Sequence, residues 1–440
     1  MLLKEYIEKN KQRIDFVYGK INNYEYLYLK NGIHTLIWQQ EFLPKLQTDT
    51  LENISPGLIE KINKSSKENF DRLIGLGNIL LLKNSEEFVI FLSFPPKRQP
   101  QDSINDPSNL IGSRDGFNEI LADNRNLIKK RIKNTALKFD EFTLGIDTLT
   151  EINIMYLENK ISEDILNQIK MIVQNNINQN ITSILDINKL LSSNYLVPLF
   201  ESTGSPETCV NALLNNRIVI LIDNCPNALI IPSSLFEFTE NVNEVNSYSY
   251  STIFNRIFIL IFLFISLFSL GLFIVLTSHH PEALSTIFIA NFQLTERGTT
   301  FPLIIEIIIV LTLFEFYRLM TSRSPLSFVQ NIIIIFGGLF IGQNAIEASL
   351  IGSISIIVAS LSFVSSFAVT NNQYLITSFS IFRLFILIMS FVLGIIGFII
   401  SSILIINYLA NIKVFQSAYL TPFIPWDKEK IKAWFKPTKE

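Results

Sequence analysis

Residues 253–276 read IFNRIFILIFLFISLFSLGLFIVL, with a single charge, Arg256, near the start. A hydrocarbon core of about 30 Å needs about 20 mostly apolar helical residues to cross it. The run therefore reads as a full membrane span, and it divides the chain in two. Residues 1–252 hold 25 Lys+Arg and 31 Asp+Glu, a net of −6. Residues 253–440 hold 11 and 8, a net of +3, and six of those 11 are lysines beyond residue 412. Charged residues make up 17% of the 440, below the roughly 25% of soluble domains. This pattern excludes a wholly soluble, a disordered and a fibrous chain. The overall net charge of −3 speaks against a nucleic-acid binder.

Four further apolar segments follow the first. Phe301–Leu319 is interrupted by Glu306 and Glu315. Phe328–Ile341 is short and holds Gly337-Gly338. Ile354–Val369 is short and rich in serine. Leu384–Ala410 is the longest, with Gly394 and Gly397. Leu284–Leu294 is too short to cross and reads as an interfacial helix.

Orientation follows from flanking basic residues. Arg256, Arg318, Arg323 and the lysine-rich tail 413–440 favour the cytoplasm. The charged N-terminus, MLLKEYIEKNKQRIDF, lacks the apolar region of a signal peptide, which keeps the soluble half inside. Five full spans would export the tail, so one segment is expected not to cross. Phe328–Ile341 and Ile354–Val369 are the candidates for a partial or re-entrant element.

The soluble half alternates strands and helices, which predicts two small α/β subdomains, 1–94 and 114–252, joined by a polar, proline-containing linker, 95–113. The all-α membrane domain, with four to five segments, spans 253–412, and a basic cytosolic tail spans 413–440. Hairpins are predicted at Asp15–Gly19 with Tyr24–Leu29 around Lys20–Asn23, and at Asn78–Leu82 with Glu87–Leu92 around Lys83–Glu86. Phe117, Ile120, Leu121, Leu127, Ile128 and Ile132 recur at helical spacing. The opposite face, Arg125, Lys129, Lys130 and Lys133, reads as a solvated face or as a partner or lipid surface. Strands are predicted near Lys138–Leu144 and Glu151–Leu157. Ser162 is placed to cap one helix and Ser205-Pro206 to open another, with Val210, Leu213 and Leu214 inward. Ile218–Ile222 and Ala228–Ile231 form a third hairpin.

Cys209 and Cys225 give no disulfide framework and no metal-ligand spacing, and a reduced cytosolic domain is the simpler reading. No nucleophile triad, phosphate loop or zinc motif is present, so no enzyme, cofactor or metal is expected. The residues with chemical weight are Glu306, Glu315 and a polar cluster of Gln343, Asn344 and Glu347. A carboxylate at membrane depth is costly and usually faces protein or water. Each has two open readings: an ion path or subunit contact, or structure alone. For Glu315 the structural reading is a pair with Arg318 at i+3.

Several motifs then resemble one family, the A subunits of GerA-type spore germinant receptors. In the soluble half they are Gly112-Ser113-Arg114-Asp115-Gly116-Phe117 with the basic helix after it, Tyr156-Leu157-Glu158, and Arg217–Asp223 with Pro226. In the membrane half they are His280-Pro281-Glu282, Arg297–Pro302, Glu306, Phe314-Glu315, the run Gly337–Ala348 and Tyr419–Phe423. The resemblance covers roughly residues 80–425. It implies a receptor subunit of the spore inner membrane, acting with a transporter-like B subunit and a lipoprotein C subunit. It also implies a homo-oligomer that forms or gates a cation path. Arg114, Asp115, Gly116 and Phe117 are a candidate assembly motif, since a motif that opens an amphipathic helix is suited to contacts. A membrane scaffold without conductance and a small-solute transporter are the alternatives, although a transporter usually shows inverted repeats.

Overall fold

The computed structural model describes residues 3–435 apart from 12, 14–15, 31–32, 34, 49–58, 62–69, 76–77, 84–85, 93–98, 101–112, 114, 159, 192–195, 241–248, 297–298, 324–341 and 416. The chain forms two compact units, Met1–Tyr195 with Leu199–Ser233, and Leu196–Pro198 with Ser234–Glu440.

The first unit is α/β and holds two five-stranded antiparallel sheets among the described residues. The first contains β1 (Phe16–Ile21), β2 (Tyr24–Leu29), β3 (Ile59–Lys61), β4 (Ile79–Lys83) and β5 (Glu86–Ile90), in the order β1-β2-β4-β5-β3. The first predicted hairpin forms with a tighter turn, because β1 runs on until Ile21 faces Tyr24. That leaves Asn22-Asn23, and Asn22 takes φ 50°, a conformation asparagine tolerates in two-residue turns. The second hairpin is β4 with β5, in register from Ile79↔Ile90 to Lys83↔Glu86. Strand periodicity sends alternate β4 residues to opposite faces. Leu80 and Leu82 pack with Leu3 and Ile7 of α1 (Leu3–Asn10) and Ile74 of α2 (Phe70–Gly75). Ile79 and Leu81 pack with Trp38, Phe42 and Leu46 from the helical stretch 35–47.

The two-residue strands β6 (Gln99–Pro100) and β7 (Asp115–Gly116) pair with each other, so part of the predicted linker is ordered. The second sheet contains β8 (Leu137–Leu144), β9 (Thr150–Leu157), β10 (Glu201–Thr203), β11 (Ile218–Ile222) and β12 (Ala228–Ile231), in the order β10-β12-β11-β9-β8. One face carries α3 (Leu121–Arg131); the unit continues through α4 (Glu163–Asn175), α5 (Ile184–Leu191) and α6 (Pro206–Leu214). Leu127 and Ile128 of α3 and Cys209 and Leu213 of α6 cover Phe139, Met155, Val219 and Ile230, which lie in register across four strands. On the other face Lys170 of α4 pairs with Asp140 at 2.7 Å. Ser205 caps α6 as expected, accepting from the Thr208 N–H. Leu214 points outward, at 46% exposure.

The basic face of α3 is corrected in part: Lys130 is half-buried and Lys133 exposed, but two of its four members lie inward. Arg125 and Lys129 are buried, at 2% and 7% exposure. The Arg125 guanidinium lies 4.4 Å and the Lys129 ammonium 4.5 Å from the Phe139 ring centroid. Arg125 also donates to Glu141 at 2.7 Å. Long cationic stems lie over an aromatic ring at little cost when the head group finds a carboxylate. The helix starts only at Leu121, because Ile120 is extended, with φ −91° and ψ 109°.

The second unit is a helical bundle. It contains α7 (Ser249–Ile274), prolonged by a wide turn at Val275–His279, then α8 (Thr286–Glu296), α9 (Leu303–Arg323), α10 (Gly342–Glu347), α11 (Ser353–Val369) and α12 (Gln373–Asn411). Among the described residues two helices are long and apolar enough to cross a membrane, Tyr250–His279 and Gln373–Asn411. α11 is apolar but shorter. α9 has 21 residues and carries Glu306, Glu315 and Arg318. The predicted segment Phe328–Ile341 lies outside the described residues.

The last predicted segment, Leu384–Ala410, is not one rod. At Gly394 the backbone takes φ 63° and ψ −139°, a combination open to glycine. The chain folds back there. The rings of Phe382 and Tyr408 lie 6.2 Å apart, whereas 26 residues of straight helix would separate them by about 39 Å. Residue Leu196 bridges the two arms, donating its N–H to Tyr408 and accepting from the Ser378 hydroxyl. α12 is therefore a helical hairpin, with arms 373–393 and 395–411, and both of its ends lie at one end of the bundle. Thr370, after α11, donates to the Phe238 carbonyl at that same, proximal end, where α7 begins. α11 thus runs antiparallel to α7. α9 runs parallel to α11, since Glu306 meets Gly352 and Phe314 stacks on Phe363.

The tail returns to the proximal end. Strands β13 (Lys413–Val414) and β14 (Ser417–Ala418) pair, Tyr419 is fully buried, and its carbonyl accepts from the Leu235 N–H at 2.8 Å. Helix α13 (Lys428–Phe435) closes the chain, with Trp434 packed against Phe236 and Phe423.

Candidate functional site

Glu306 stands in the first turn of α9 and is fully buried. Its Oε2 accepts from the N–H of Gly352 at 3.0 Å, and Gly352 is the N-cap residue of α11. The carboxylate therefore meets the amino ends of two parallel helices, where backbone dipoles favour negative charge. Its Oε1 is buried and has no hydrogen-bond partner among the described residues. One oxygen fixes the geometry, and the other is a spare acceptor in apolar surroundings. A buried acceptor without a donor is costly in apolar surroundings.

Glu315 follows about two and a half turns along the same helix. Its Oε2 accepts from Arg318 Nε at 2.7 Å, the i, i+3 pair that the spacing allows. Its other oxygen accepts from the hydroxyl of Ser380 on the first arm of α12. Glu315 is thus neutralised within its own helix and also ties that helix to the hairpin.

Arg383 is the site residue that the sequence reading missed. The predicted segment started at Leu384, which left Arg383 as a flank. In the structure the helix starts eleven residues earlier, at Gln373, and Arg383 is 1% exposed. Its Nε donates to the Ser266 carbonyl at 3.0 Å and its Nη2 to the Ser366 hydroxyl at 2.6 Å. One guanidinium therefore joins α7, α11 and α12. Around it Ser266 and Ser366 share a 2.8 Å hydrogen bond, and Ser362 donates to the Ser266 carbonyl at 3.0 Å. Small hydroxyl residues let helices approach closely and supply hydrogen bonds across the contact. The serines of Ile354–Val369 carried the signal, since serine inside an apolar helix reports a helix–helix face.

At the distal end the ring of His279 covers the hairpin turn. To the side, His280 Nδ1 lies 2.9 Å from Glu282 Oε1. That hydrogen bond holds the Glu282 carboxyl below its usual range.

The remaining predicted residues lie elsewhere. Gln343 and Glu347 are exposed on the short helix α10, and Asn344 sits between them in the chain. After that helix, the Ser349 carbonyl accepts from the Thr300 N–H at 3.0 Å. Arg114 lies outside the described residues. Asp115 pairs with Arg131 at 2.9 Å, and Arg131 also donates to the Ser113 hydroxyl. Gly116 pairs with Gln99. Phe117 is a core residue at 4% exposure, so it offers little surface for contact.

With this geometry in hand, comparison with known proteins is direct. Residues 6–438 match the family described as Bacillus/Clostridium GerA spore germination protein. The chain is 32% identical over 366 residues to spore germination protein XA of Bacillus anthracis, covering 82% of this chain and 74% of that protein. It is 27% identical over 387 residues to spore germination protein KA of Bacillus subtilis, covering 84% and 68%. A crystal structure of the N-terminal domain of the A subunit of the Bacillus megaterium spore germinant receptor GerK3 aligns with 52% of this chain and 92% of that one, at 17% identity and a TM-score of 0.35.

Proposed function

The chain belongs to the GerA family of spore germination proteins, and from that premise we propose that it is the A subunit of a nutrient germinant receptor in the spore inner membrane. In this reading the helical unit crosses the membrane, and copies of the subunit assemble to form or gate a cation path. The family resemblance implies a transporter-like B subunit and a lipoprotein C subunit as partners. The α/β unit and the tail face the cytoplasm. Arg256 and the lysines 413, 428, 430 and 432 gather at the proximal end, which fits the excess of basic residues on cytoplasmic loops. Arg114–Phe117 serves assembly, with Asp115 as its partly exposed member.

The observation that carries the reading is the buried carboxyl of Glu306 with its spare oxygen. A carboxylate buried in the helical unit is costly and is kept where protein or water compensates it. Its hydrogen bond to Gly352 supports the competing view, a bracing group in a scaffold without conductance. The two separate in one experiment. Glu306→Gln and Glu306→Leu are made in the full-length chain, and cation release during germination is measured beside the amount of protein in the membrane. An ion-path role predicts normal insertion and reduced release for Gln. Normal release with Gln, together with loss of the protein with Leu, would sink the ion-path reading and leave the scaffold.

A further inference from the structure

The proximal end of the bundle carries a band of exposed aromatic side chains. Tyr250 and Phe254 at the start of α7 are 74% and 61% exposed, Tyr374 at the start of α12 is 56%, and Trp426 in the tail is 67%. The apolar band runs on along α7 through Ile257, Phe258 and Ile261, all exposed. Tyrosine and tryptophan concentrate where hydrocarbon gives way to headgroups, because their rings are apolar and their edges polar.

The tail segment is fixed at this level and does not dangle. The guanidinium of Arg256, in the second turn of α7, lies 4.9 Å from the Trp434 ring centroid. The rings of Phe236 and Phe423 meet at a tilt, with centroids 4.5 Å apart. The turn between them is braced by the Phe423 N–H to the Leu420 carbonyl and the Asp427 N–H to the Pro422 carbonyl. Trp426 is thus held outward by an ordered scaffold, with Ile424 exposed beside it.

The charge beside it is basic. Asp427 caps α13, with its Oδ1 accepting from the N–H groups of Glu429 and Lys430 at 3.1 Å. Lys428, Lys430 and Lys432 are exposed. Among the described residues Lys430 lies no closer than 3.8 Å to Asp427. Lysines beside a membrane attract anionic headgroups, and an apolar anchor with a cationic rim binds in the interface plane.

We infer that residues 419–435 form a foot lying in the membrane surface, with Trp426 and Ile424 at the boundary of headgroup and acyl chain and Lys428, Lys430 and Lys432 on the phosphates of anionic phospholipids. This rests on the reading that the helical unit crosses the membrane. The occupant is lipid because the foot stands at the end of the bundle where Tyr250, Phe254 and Tyr374 are exposed, and it adds basic charge at its rim.

The test uses the full-length chain in vesicles of phosphatidylcholine mixed with phosphatidylglycerol, either lipid carrying bromines at a shallow acyl position. Tryptophan emission is compared with that of Trp426→Phe, so the difference reports Trp426 alone. Bromines quench that difference signal if Trp426 touches lipid. Quenching should be about twofold stronger from brominated phosphatidylglycerol than from brominated phosphatidylcholine. Lys428→Gln/Lys430→Gln/Lys432→Gln should bring the two to equality. These are surface changes that leave Trp434 packed. Absent quenching in protein that resists carbonate extraction overturns the foot and means that protein, a second copy or a partner, covers Trp426. Equal quenching by both lipids in the native chain overturns the anionic preference. Extraction of the native chain by carbonate would instead sink the membrane reading itself.

Discussion

His279 Nε2 lies 2.9 Å from the carbonyl oxygen of Phe391. Phe391 is the last full turn before the break at Gly394, so its carbonyl has lost the helical N–H that would otherwise satisfy it. The imidazole supplies a partner, and its ring also covers Gly394: a Cβ added there would sit 3.2 Å from His279 Cγ. The end of the first span is therefore locked onto the turn of the hairpin.

Gly394→Ala should open or strain that turn on two grounds, the positive φ and the contact with His279. Each residue held in so sparse a conformation costs about 1–3 kcal/mol. Thermal unfolding of the purified chain in detergent should show the loss. Adding His279→Ala should recover only part of it, because the φ penalty stays. Full recovery would mean that the contact, and not the backbone, dominates.

The hairpin also fixes topology. With Cys209 and Cys225, neither of them in a disulfide, replaced by serine, single cysteines at Gln373 and Asn411 should react with an impermeant maleimide from the same side of the membrane. Labelling from opposite sides would restore a single long span and refute the fold at Gly394.

Arg383→Leu removes a guanidinium that joins three helices and leaves the Ser266 carbonyl and Ser366 hydroxyl without it. Hydrogen bonds to a charged group are each worth about 1.5–3 kcal/mol. The variant should lose several degrees of melting temperature in detergent, and Arg383→Lys should lose less. An unchanged melting temperature for Leu would show that packing alone joins these helices.

In the α/β unit, Asp186 accepts from the N–H and hydroxyl groups of Thr182 and Ser183. The backbone N–H of Thr182 is the main cause that holds its carboxyl below the usual range. A depressed native pKa adds stability above the unfolded value of about 3.9, and that stability is lost as pH falls through the native value. Asp186→Ala should lower amide protection across α5 by about 1 kcal/mol at neutral pH. The difference from the native chain should vanish in acid below the native pKa. A difference that persists there would point to packing and not to the charge.

Asp115→Ala should cost little stability, since its pair with Arg131 is partly exposed, and such pairs contribute about 0–1 kcal/mol. If the Arg114–Phe117 stretch serves assembly, cross-linking between copies should fall while the circular dichroism spectrum stays native. A lost spectrum with cross-linking unchanged would reverse that assignment.

The sequence by itself determined the division into an α/β half and an apolar helical half, because residue counts and periodicity are local properties that burial imposes on any fold. It also located the strands near Lys138–Leu144, Glu151–Leu157 and Ile218–Ile222, whose apolar runs reflect sheet packing. It singled out Glu306 and Glu315, since a carboxylate inside an apolar run is anomalous wherever it points. Tertiary structure alone decided the rest. Gly394 reads as one more small residue until its φ is known, so a hairpin and a single rod share one hydropathy pattern. Arg383 looked like a flank because the polar residues before it, from Gln373, hid the true start of the helix. Arg125 and Lys129 looked solvated because nothing local announces that Phe139, on a strand paired through long-range contacts, lies beneath them. Charge placement is local in the chain, but what neutralises a charge is set by residues far away in sequence.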